Sequence, residues 1–255
     1  MAACLLVTPE TVGEQVVEVE EIIVDIPEPV EPVPQLIIDG DTIYTDNLAG
    51  LSQAIADRFG GADYSVMLYN LYGDSVLEIA ADRQFTAAST YKLLVAYMML
   101  LDAENGVALP SCFDNMIIYS DNGCPLAYLD RKSYSRANAV VQNLGLASTV
   151  LAYDVRTTAR DLADFLMMIY NGSILSPASN ERLLDTMTRQ VFRNGIPAGV
   201  GDSGIVADKV GFLDGYLNDA AIVYRDSGDY ILVILTNGSS WRAIADVTAL
   251  IDARI

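Results

Sequence analysis

Residues 85–106, FTAASTYKLLVAYMMLLDAENG, decide the fold of this chain. Apolar side chains crowd the stretch after Lys92, and Asn105-Gly106 ends it, so it predicts a buried helix that begins at Ser89. A spacing of three residues places Ser89 and Lys92 on one face, with the hydroxyl near the positive end of the helix dipole. A serine held beside a lysine is a candidate nucleophile.

Two further short motifs follow in order, Ser120-Asp121-Asn122 and Lys209-Val210-Gly211. A serine hydroxyl must lose its proton as it attacks a carbonyl, and Lys92 is the neighbour that can take it. Partial burial and repulsion from Lys209 would lower the pKa of Lys92 enough for it to act as a base. Ser120 can relay a proton to the leaving nitrogen, and glycine at 211 allows a ligand to approach the strand backbone closely.

Each motif alone also has an ordinary structural interpretation. Ser89 can be a helix cap, Ser120–Asn122 a polar turn, and Lys209 an edge-strand lysine that opposes aggregation. Tyr91 and Trp241 are predicted to pack in the core or in a groove rather than to take part in catalysis. The order of the three motifs and their flanking residues favours a site.

Composition limits the possible functions. The chain has 255 residues, 52% of them hydrophobic, and 34 acidic against 15 basic side chains give a formal net charge of −19. These values predict a globular protein and argue against binding to nucleic acid or to anionic lipid. The chain has no histidine, which excludes Ser-His-Asp and Cys-His mechanisms. No stretch reaches the roughly 18 apolar residues that a membrane-spanning helix needs.

The three cysteines, Cys4, Cys112 and Cys124, lack Cys-x-x-Cys spacing. Without histidine they are a poor zinc set, so we expect no metal and no cofactor. Cys112 and Cys124 are close enough in sequence for a disulfide, but two small buried thiols are the favoured interpretation.

The N-terminal region differs in composition from the rest. Met1-Ala2-Ala3-Cys4 is similar to the end of a bacterial lipoprotein signal, without the charged and apolar regions that should precede it. From Pro9 to Pro34 the chain is rich in Glu, Val and Pro, a composition that self-repels and stays extended. We predict a leader or tether over residues 1–38, or else a disordered tail without a role. The folded domain is predicted over 39–255, with order beginning near Leu36.

The order of predicted elements indicates an α+β fold, with strands at both ends of the domain and helices between them. A β-hairpin is expected from Tyr64–Tyr72 and Ser75–Ala80 around Gly73-Asp74. Further helices are predicted at Pro125–Asn143, Thr158–Asn171 and Ser240–Arg254, and further strands at Gly204–Gly211, Leu217–Arg225 and Tyr230–Thr236.

Four runs together resemble the class A β-lactamase-related serine hydrolases, a superfamily shared with the penicillin-binding D-alanyl-D-alanine peptidases. The runs are Phe85–Lys92, Met116–Asn122, Arg156–Ala163 and Ala207–Ala220, and the resemblance extends from about Gly60 to Ile255. It implies a β-lactamase/transpeptidase-like fold, in which helices flank an antiparallel sheet built from both chain ends. A helical subdomain, about residues 89–200, is then inserted.

The resemblance also implies an acyl-enzyme mechanism. Ser89 is the expected nucleophile, Lys92 the general base and Ser120 the proton shuttle. The implied partner is a small-molecule β-lactam or a peptidoglycan-like peptide that ends in a carboxylate. We expect a bacterial, extracytoplasmic monomer in the periplasm or at the cell surface, with a possible membrane tether, or lipoprotein anchor, at its N-terminus.

Four residues have implied substrate-binding roles. Asn122 would bind the substrate's amide, Lys209 would anchor its carboxylate, and Gly211 would allow close approach. The backbone N–H groups of Ser89 and Phe212 would form the oxyanion hole, which stabilises negative charge in the transition state.

The chain departs from the family in its deacylation machinery. Class A β-lactamases activate water with a glutamate from the loop ahead of the Thr-Thr element, but this chain has no glutamate between Glu104 and Glu181. Asp154, three residues before Thr157, is the nearest candidate, and its side chain is shorter. Acylation is therefore expected to outrun hydrolysis.

Two more departures concern substrate binding. Val210 stands where the family usually has threonine or serine, so a hydroxyl hydrogen bond worth about 0.5–1.5 kcal/mol is absent. Ser89 and Ser120 are only 31 residues apart, which predicts a shortened helical segment and a more open cleft.

Three functions remain open from sequence. The first is a serine hydrolase that forms an acyl-enzyme on a β-lactam or a related peptide amide and releases it slowly. The second is a D-alanyl-D-alanine peptidase-like penicillin-binding protein. The third is an inactive, surface-tethered binding protein of the same fold, which Val210 and the shortened loop favour and the intact motifs oppose.

Overall fold

The structure, a computed structural model, describes residues 34–73 and 75–255. Most of the predicted leader and Asp74 of the predicted turn lie outside the described residues, so the leader stays a prediction. The first described strand begins at Leu36, where order was expected, and therefore starts three residues before the boundary at 39.

Both ends of the described chain contribute strands to one antiparallel sheet. In chain order the strands are β1 (Leu36–Asp39), β2 (Thr42–Thr45), β3 (Asp63–Asn70), β4 (Val76–Ile79), β5 (Phe85–Thr86), β6 (Arg156–Thr157), β7 (Ile205–Leu213), β8 (Tyr216–Tyr224) and β9 (Tyr230–Asn237). Seven of them form the main sheet in the order β1-β2-β4-β3-β9-β8-β7, and β5 pairs with β6 separately. Among the strands of the described residues, β7 lies at an edge of the sheet, with one side of its backbone not paired with another strand.

Helices cover both faces of this sheet and fill the middle of the chain. They are α1 (Leu51–Phe59), α2 (Lys92–Glu104), α3 (Phe113–Ile118), α4 (Gly123–Lys132), α5 (Tyr134–Asn143), α6 (Ala159–Tyr170), α7 (Pro177–Thr188), α8 (Ile196–Val200) and α9 (Trp241–Asp252). In the part of the chain that the structure describes, none of the helices is long and apolar enough to cross a membrane.

Strand alternation divides the apolar side chains between two cores. In β3, Met67 packs with α2 and α6 on one face, while Val66 and Leu68 pack with α1 and α9 on the other. Helix α2 lies inside the first core, and every residue from Lys92 to Leu100 is buried. The predicted α+β fold and the hairpin of β3 with β4 are confirmed.

One predicted helix is wrong in its extent. The segment Pro125–Asn143 forms two helices, α4 and α5, which meet at Ser133. Ser133 has a φ of 70°, a left-handed backbone conformation that a continuous helix cannot contain. Its hydroxyl accepts a hydrogen bond from the backbone N–H of Arg136 at 3.4 Å, so it caps α5. The pattern of apolar residues in the sequence does not indicate that the helix is interrupted at Ser133.

Candidate active site

Ser89 lies in a short 3₁₀ helix, Ala88–Tyr91, that leads directly into α2. The preceding residue, Ala88, has a φ of 45°, which is uncommon for a residue with a side chain and is typical of functional turns. The buried side chain of Asn218, in β8, donates from Nδ2 to the carbonyl oxygens of Thr86 at 2.9 Å and Ala87 at 3.1 Å. Asn218 therefore fixes the turn that carries Ser89 to the main sheet.

Gly211 of β7 touches the same turn. A Cβ at this position would lie 2.7 Å from the Ala87 carbonyl oxygen and 2.8 Å from the Ser89 nitrogen, closer than real side chains approach backbone. The sequence predicted a glycine that admits a ligand to the strand. The close approach that the structure shows is to the turn that carries Ser89, the predicted nucleophile, and the role of Gly211 toward a ligand stays a prediction.

Two buried lysines meet at one hydroxyl. The Lys92 ammonium donates to Ser120 Oγ at 3.2 Å, and the Lys209 ammonium donates to the same oxygen at 3.1 Å. Lys92 also donates to the Ser120 carbonyl oxygen at 2.5 Å and to Asn122 Oδ1 at 2.7 Å. The second and third motifs are thus brought together around the lysine of the first.

The turn that carries Ser120 is held by a disulfide. Cys112 and Cys124 are bonded, with Cα atoms 5.8 Å apart, so the expectation of two free thiols is wrong. Helix α3 and the turn after it fold the segment back, which brings the two cysteines together. Within this loop Ser120 has a φ of 60°, and Asp121 Oδ1 accepts from the Cys124 N–H at 2.9 Å.

The environment lowers the pKa of both lysines. Burial lowers the pKa of Lys92 to about 8, although the Asp121 carboxylate opposes the shift. Burial, and then repulsion from Lys92, lower the pKa of Lys209 to about 7, against the attraction of Asp208 and Asp219. Repulsion between the lysines therefore lowers mainly the pKa of Lys209. The pKa of Lys92 is lowered by burial, so part of the Lys92 population is neutral near neutral pH.

Sequence reasoning missed the residue that orients Lys209. Gln190, in the loop after α7, is buried, and its Oε1 accepts from Lys209 Nζ at 3.0 Å and from the Val210 N–H at 3.3 Å. Its Nε2 donates to Asp208 Oδ2 at 2.5 Å, and Arg193 pairs with the other oxygen of that carboxylate. A lone glutamine in a loop carries no sequence signal for this role.

The direction of the Val210 N–H group also indicates the direction in which the Phe212 N–H group points. In an antiparallel strand, N–H groups two residues apart point to the same side. The Val210 N–H faces Gln190, away from β8, so the Phe212 N–H also faces away from β8. With Ser89 nitrogen against the neighbouring Gly211, this orientation is compatible with the predicted oxyanion hole.

Ser89 opens into a cavity of about 180 Å³, whose walls include Asn122, Tyr91, Phe212 and Asp154. Asp154 Oδ1 accepts from Thr86 Oγ1 at 3.2 Å, and its Oδ2 lies 3.6 Å from the guanidinium of Arg156. Among the hydrogen bonds of the described residues, none joins Ser89 Oγ to Lys92 Nζ. The cavity nevertheless places the side chains of a serine, an amide and a carboxylate around one space.

Comparisons with known proteins identify a family and solved structures of similar fold. A model of the β-lactamase enzyme family matches residues 48–112 and 107–253. The structure of PBP-A is similar, with 25% sequence identity and a TM-score of 0.73, over 81% of this chain and 96% of that chain. No curated protein sequence matches.

Two other solved structures are also similar. A PBP-A mutant solved as an acyl-enzyme complex with penicillin G has 26% identity and a TM-score of 0.71, over 81% of this chain and 96% of that one. A β-lactamase from Sphaerobacter thermophilus DSM 20745, 20% identical with a TM-score of 0.73 over 81% and 96%, shares the fold. From the family match over most of its length, the chain belongs to the β-lactamase enzyme family.

Proposed function

We propose that this protein is a penicillin-binding serine hydrolase that forms an acyl-enzyme at Ser89 and hydrolyses it slowly. Its substrate is a β-lactam or a cell-wall-peptide-like amide that carries a carboxylate. The observation that carries the proposal is the meeting of two buried lysines at the Ser120 hydroxyl, beside the cavity that holds Ser89.

Acylation begins with proton transfer from Ser89 to Lys92. The three hydrogen-bond acceptors around Lys92 Nζ match the three N–H bonds of an ammonium group, so loss of one proton frees a lone pair. With a pKa of about 8, a useful fraction of Lys92 is neutral near pH 7. The Ser89 oxygen then bonds to the carbonyl carbon, and its proton passes to Lys92.

Collapse of the tetrahedral intermediate breaks the carbon–nitrogen bond, and the leaving nitrogen needs a proton. Ser120 Oγ accepts hydrogen bonds from both lysines, which leaves its own hydrogen free to be donated. Ser120 can thus protonate the nitrogen and be reprotonated by Lys92. While it is charged, Lys209 attracts the substrate carboxylate, and Asn122 Nδ2 is free to donate to the substrate's amide.

Slow deacylation follows from the carboxylates near the cleft. Asp154 is the acidic residue in the wall of the Ser89 cavity, and it already accepts from Thr86 and faces Arg156. An aspartate held in this way is a poor base for water, because one oxygen already accepts a hydrogen bond, the other faces a cation, and its side chain is short. The acyl-enzyme therefore accumulates.

The disulfide supports an extracytoplasmic location for the protein. Disulfides persist in oxidising compartments and are rare in reducing ones. A bacterial periplasm or cell surface, with the N-terminal segment as a tether and the domain as a monomer, also suits a peptidoglycan-like substrate. Turnover of such a peptide, as in a D-alanyl-D-alanine peptidase, is the second activity that the same site can support.

The test is the mass of the intact protein over time after penicillin G is added. We expect one penicillin adduct on the wild type and none on Ser89→Ala, with Ser111→Ala as the matched control that still forms it. A half-life of minutes or longer for the adduct agrees with slow hydrolysis, whereas adduct loss within seconds would indicate an efficient β-lactamase. If neither wild type nor control is modified and penicillin stays intact, the inactive binding protein replaces this proposal.

A further inference from the structure

A second cavity of about 220 Å³ lies beside β7, outside the cleft that holds Ser89. Its walls are the side chains of Phe192, Asn194, Val210, Phe212 and Trp241, so among the described residues that line it none carries a charge. Phe212 also lines the Ser89 cavity, so the two cavities share a wall.

The aromatic walls form a fixed arrangement. The ring of Phe212 lies 5.4 Å from that of Phe192 and 6.3 Å from that of Trp241, with interplanar angles of 67° and 84°. Such edge-to-face packing is favourable and holds the rings without an occupant. Phe212 remains 46% exposed, which leaves apolar surface available at the mouth of the active site.

The second cavity adjoins the site through β7, because Phe212 lines both cavities and Val210 follows Lys209 in the strand. Alternation along β7 sends the Lys209 side chain toward Ser120 and the Val210 side chain to the opposite face. Asn122 and Asp154, in contrast, line the Ser89 cavity and not the second one. If Lys209 anchors the carboxylate of the leaving group, the neighbouring cavity is within reach of substituents on that group.

We propose that this cavity is a subsite for an apolar or aromatic side chain on the substrate's leaving group. The inference rests on the proposed function of Ser89 and Lys209, and it names the class of substrate: amides or esters whose leaving group carries both a carboxylate and a hydrophobic side chain. Val210 contributes methyl groups to the wall where a hydroxyl would leave a polar atom. The volume is below the roughly 300–1,000 Å³ of whole small-molecule sites, so it fits one side chain.

A matched pair of thioesters tests the subsite. Both carry the same benzoylglycyl acyl group and a carboxylate on the leaving thiol, and they differ only in a hydrogen or a benzyl group beside that carboxylate. Wild-type enzyme should acylate from the benzyl compound with a kcat/KM about tenfold higher or more, the scale of discrimination that an apolar pocket gives. Trp241→Ala and Phe192→Ala should bring the ratio toward one, and the exposed control Val191→Ala should leave it unchanged.

The chain's single tryptophan provides a second measurement that needs no turnover. Trp241 is in the cavity wall, so its fluorescence should change when the benzyl-bearing leaving group, the free thiol with its carboxylate, binds to the Ser89→Ala variant. It should not change when the leaving group without the benzyl substituent is added. Equal kcat/KM values together with no fluorescence response would overturn the subsite. If neither thioester acylates Ser89, the proposed function fails, and the fluorescence titration alone decides whether the cavity binds the benzyl group.

Discussion

Gly211→Ala tests whether contact between β7 and the nucleophile turn builds the oxyanion hole. A Cβ at residue 211 would lie 2.7 Å from the Ala87 carbonyl oxygen, 2.8 Å from the Ser89 nitrogen and 2.9 Å from the Thr90 nitrogen. All three are backbone atoms, so no flexible side chain can move aside. The strand and the turn must separate instead.

The separation can be worked from these distances. Ordinary van der Waals contact begins at 3.4 Å, so the backbone must move by about 0.7 Å, the difference from 2.7 Å. Oxyanion donors act at about 2.7–3.1 Å, and a shift of about 0.7 Å takes one of them to about 3.4–3.8 Å, longer than a normal hydrogen bond. Loss of one donor typically lowers the rate by about 10²–10³, and overpacking lowers stability by about 1–3 kcal/mol.

The assay is the rate of labelling by a fluorescent penicillin, with thermal unfolding measured on the same samples. Gly61→Ala is the matched control, because a Cβ there meets nothing within 4 Å. Ile55→Val, in the second core, controls for lost stability, since it costs about 0.5–1.5 kcal/mol away from the site. If Gly211→Ala is labelled at the wild-type rate, the close contact does not form the oxyanion hole and the geometric argument is refuted.

Three further predictions follow from the site. Asn218→Asp puts an acceptor opposite the carbonyl oxygens of Thr86 and Ala87 and should slow labelling at least tenfold. The exposed control Asn143→Asp should not slow it. Equal rates for the two variants would contradict the role of Asn218 in holding the turn that carries Ser89. With a penicillin methyl ester, labelling should rise about tenfold per pH unit up to about pH 8, because only Lys92 must lose its proton. With free penicillin it should rise only up to about pH 7, stay level between about 7 and 8 and fall above about 8, because Lys209 must also keep its charge; a flat profile for both compounds would exclude Lys92 as the base. The double replacement Cys112→Ser with Cys124→Ser should lower the free energy of unfolding by about 3 kcal/mol for a 12-residue loop, and it should slow labelling. A labelling rate that is unchanged in buffer without denaturant would show that the disulfide does not contribute to the reaction.

The sequence predicted the parts of the site that depend on local spacing. Ser89 and Lys92 are carried by one buried helical segment, and its apolar pattern together with the terminal Asn-Gly is enough to predict it. The strand pattern likewise placed Lys209 on β7, since alternation and turn residues are local properties. The α+β class follows from the order of these elements.

What the sequence could not predict depends on contacts between distant residues. Asn218 binds carbonyl groups about 130 positions away, and Gln190 reaches Lys209 only after α7 packs beside β7. The disulfide required the backbone path through α3, which no cysteine spacing specifies. Asn218 and Gln190 each form hydrogen bonds with buried polar groups, so their role can be recognised only when the surrounding backbone is known.

Under the proposed function, the alternation of β7 would allow chemistry and selectivity to vary separately. Side chains on one face, Lys209 and the absent side chain of Gly211, meet Ser120 and the nucleophile turn, and a change there disturbs the reacting atoms. Side chains on the other face, Val210 and Phe212, line the aromatic cavity, and Phe212 also lines the cavity that holds Ser89. Replacing Val210 by threonine adds a hydroxyl that can bond the substrate, worth about 0.5–1.5 kcal/mol, so for a substrate without a leaving-group side chain it should leave the labelling rate of Ser89 unchanged or raise it by at most about tenfold. The same replacement should reduce the preference for a benzyl-bearing leaving group, because a hydroxyl in the wall must lose its hydration when the ring binds. A variant that slows both substrates equally would show that the two faces are coupled, and Val210 would then belong to the machinery of the reaction itself.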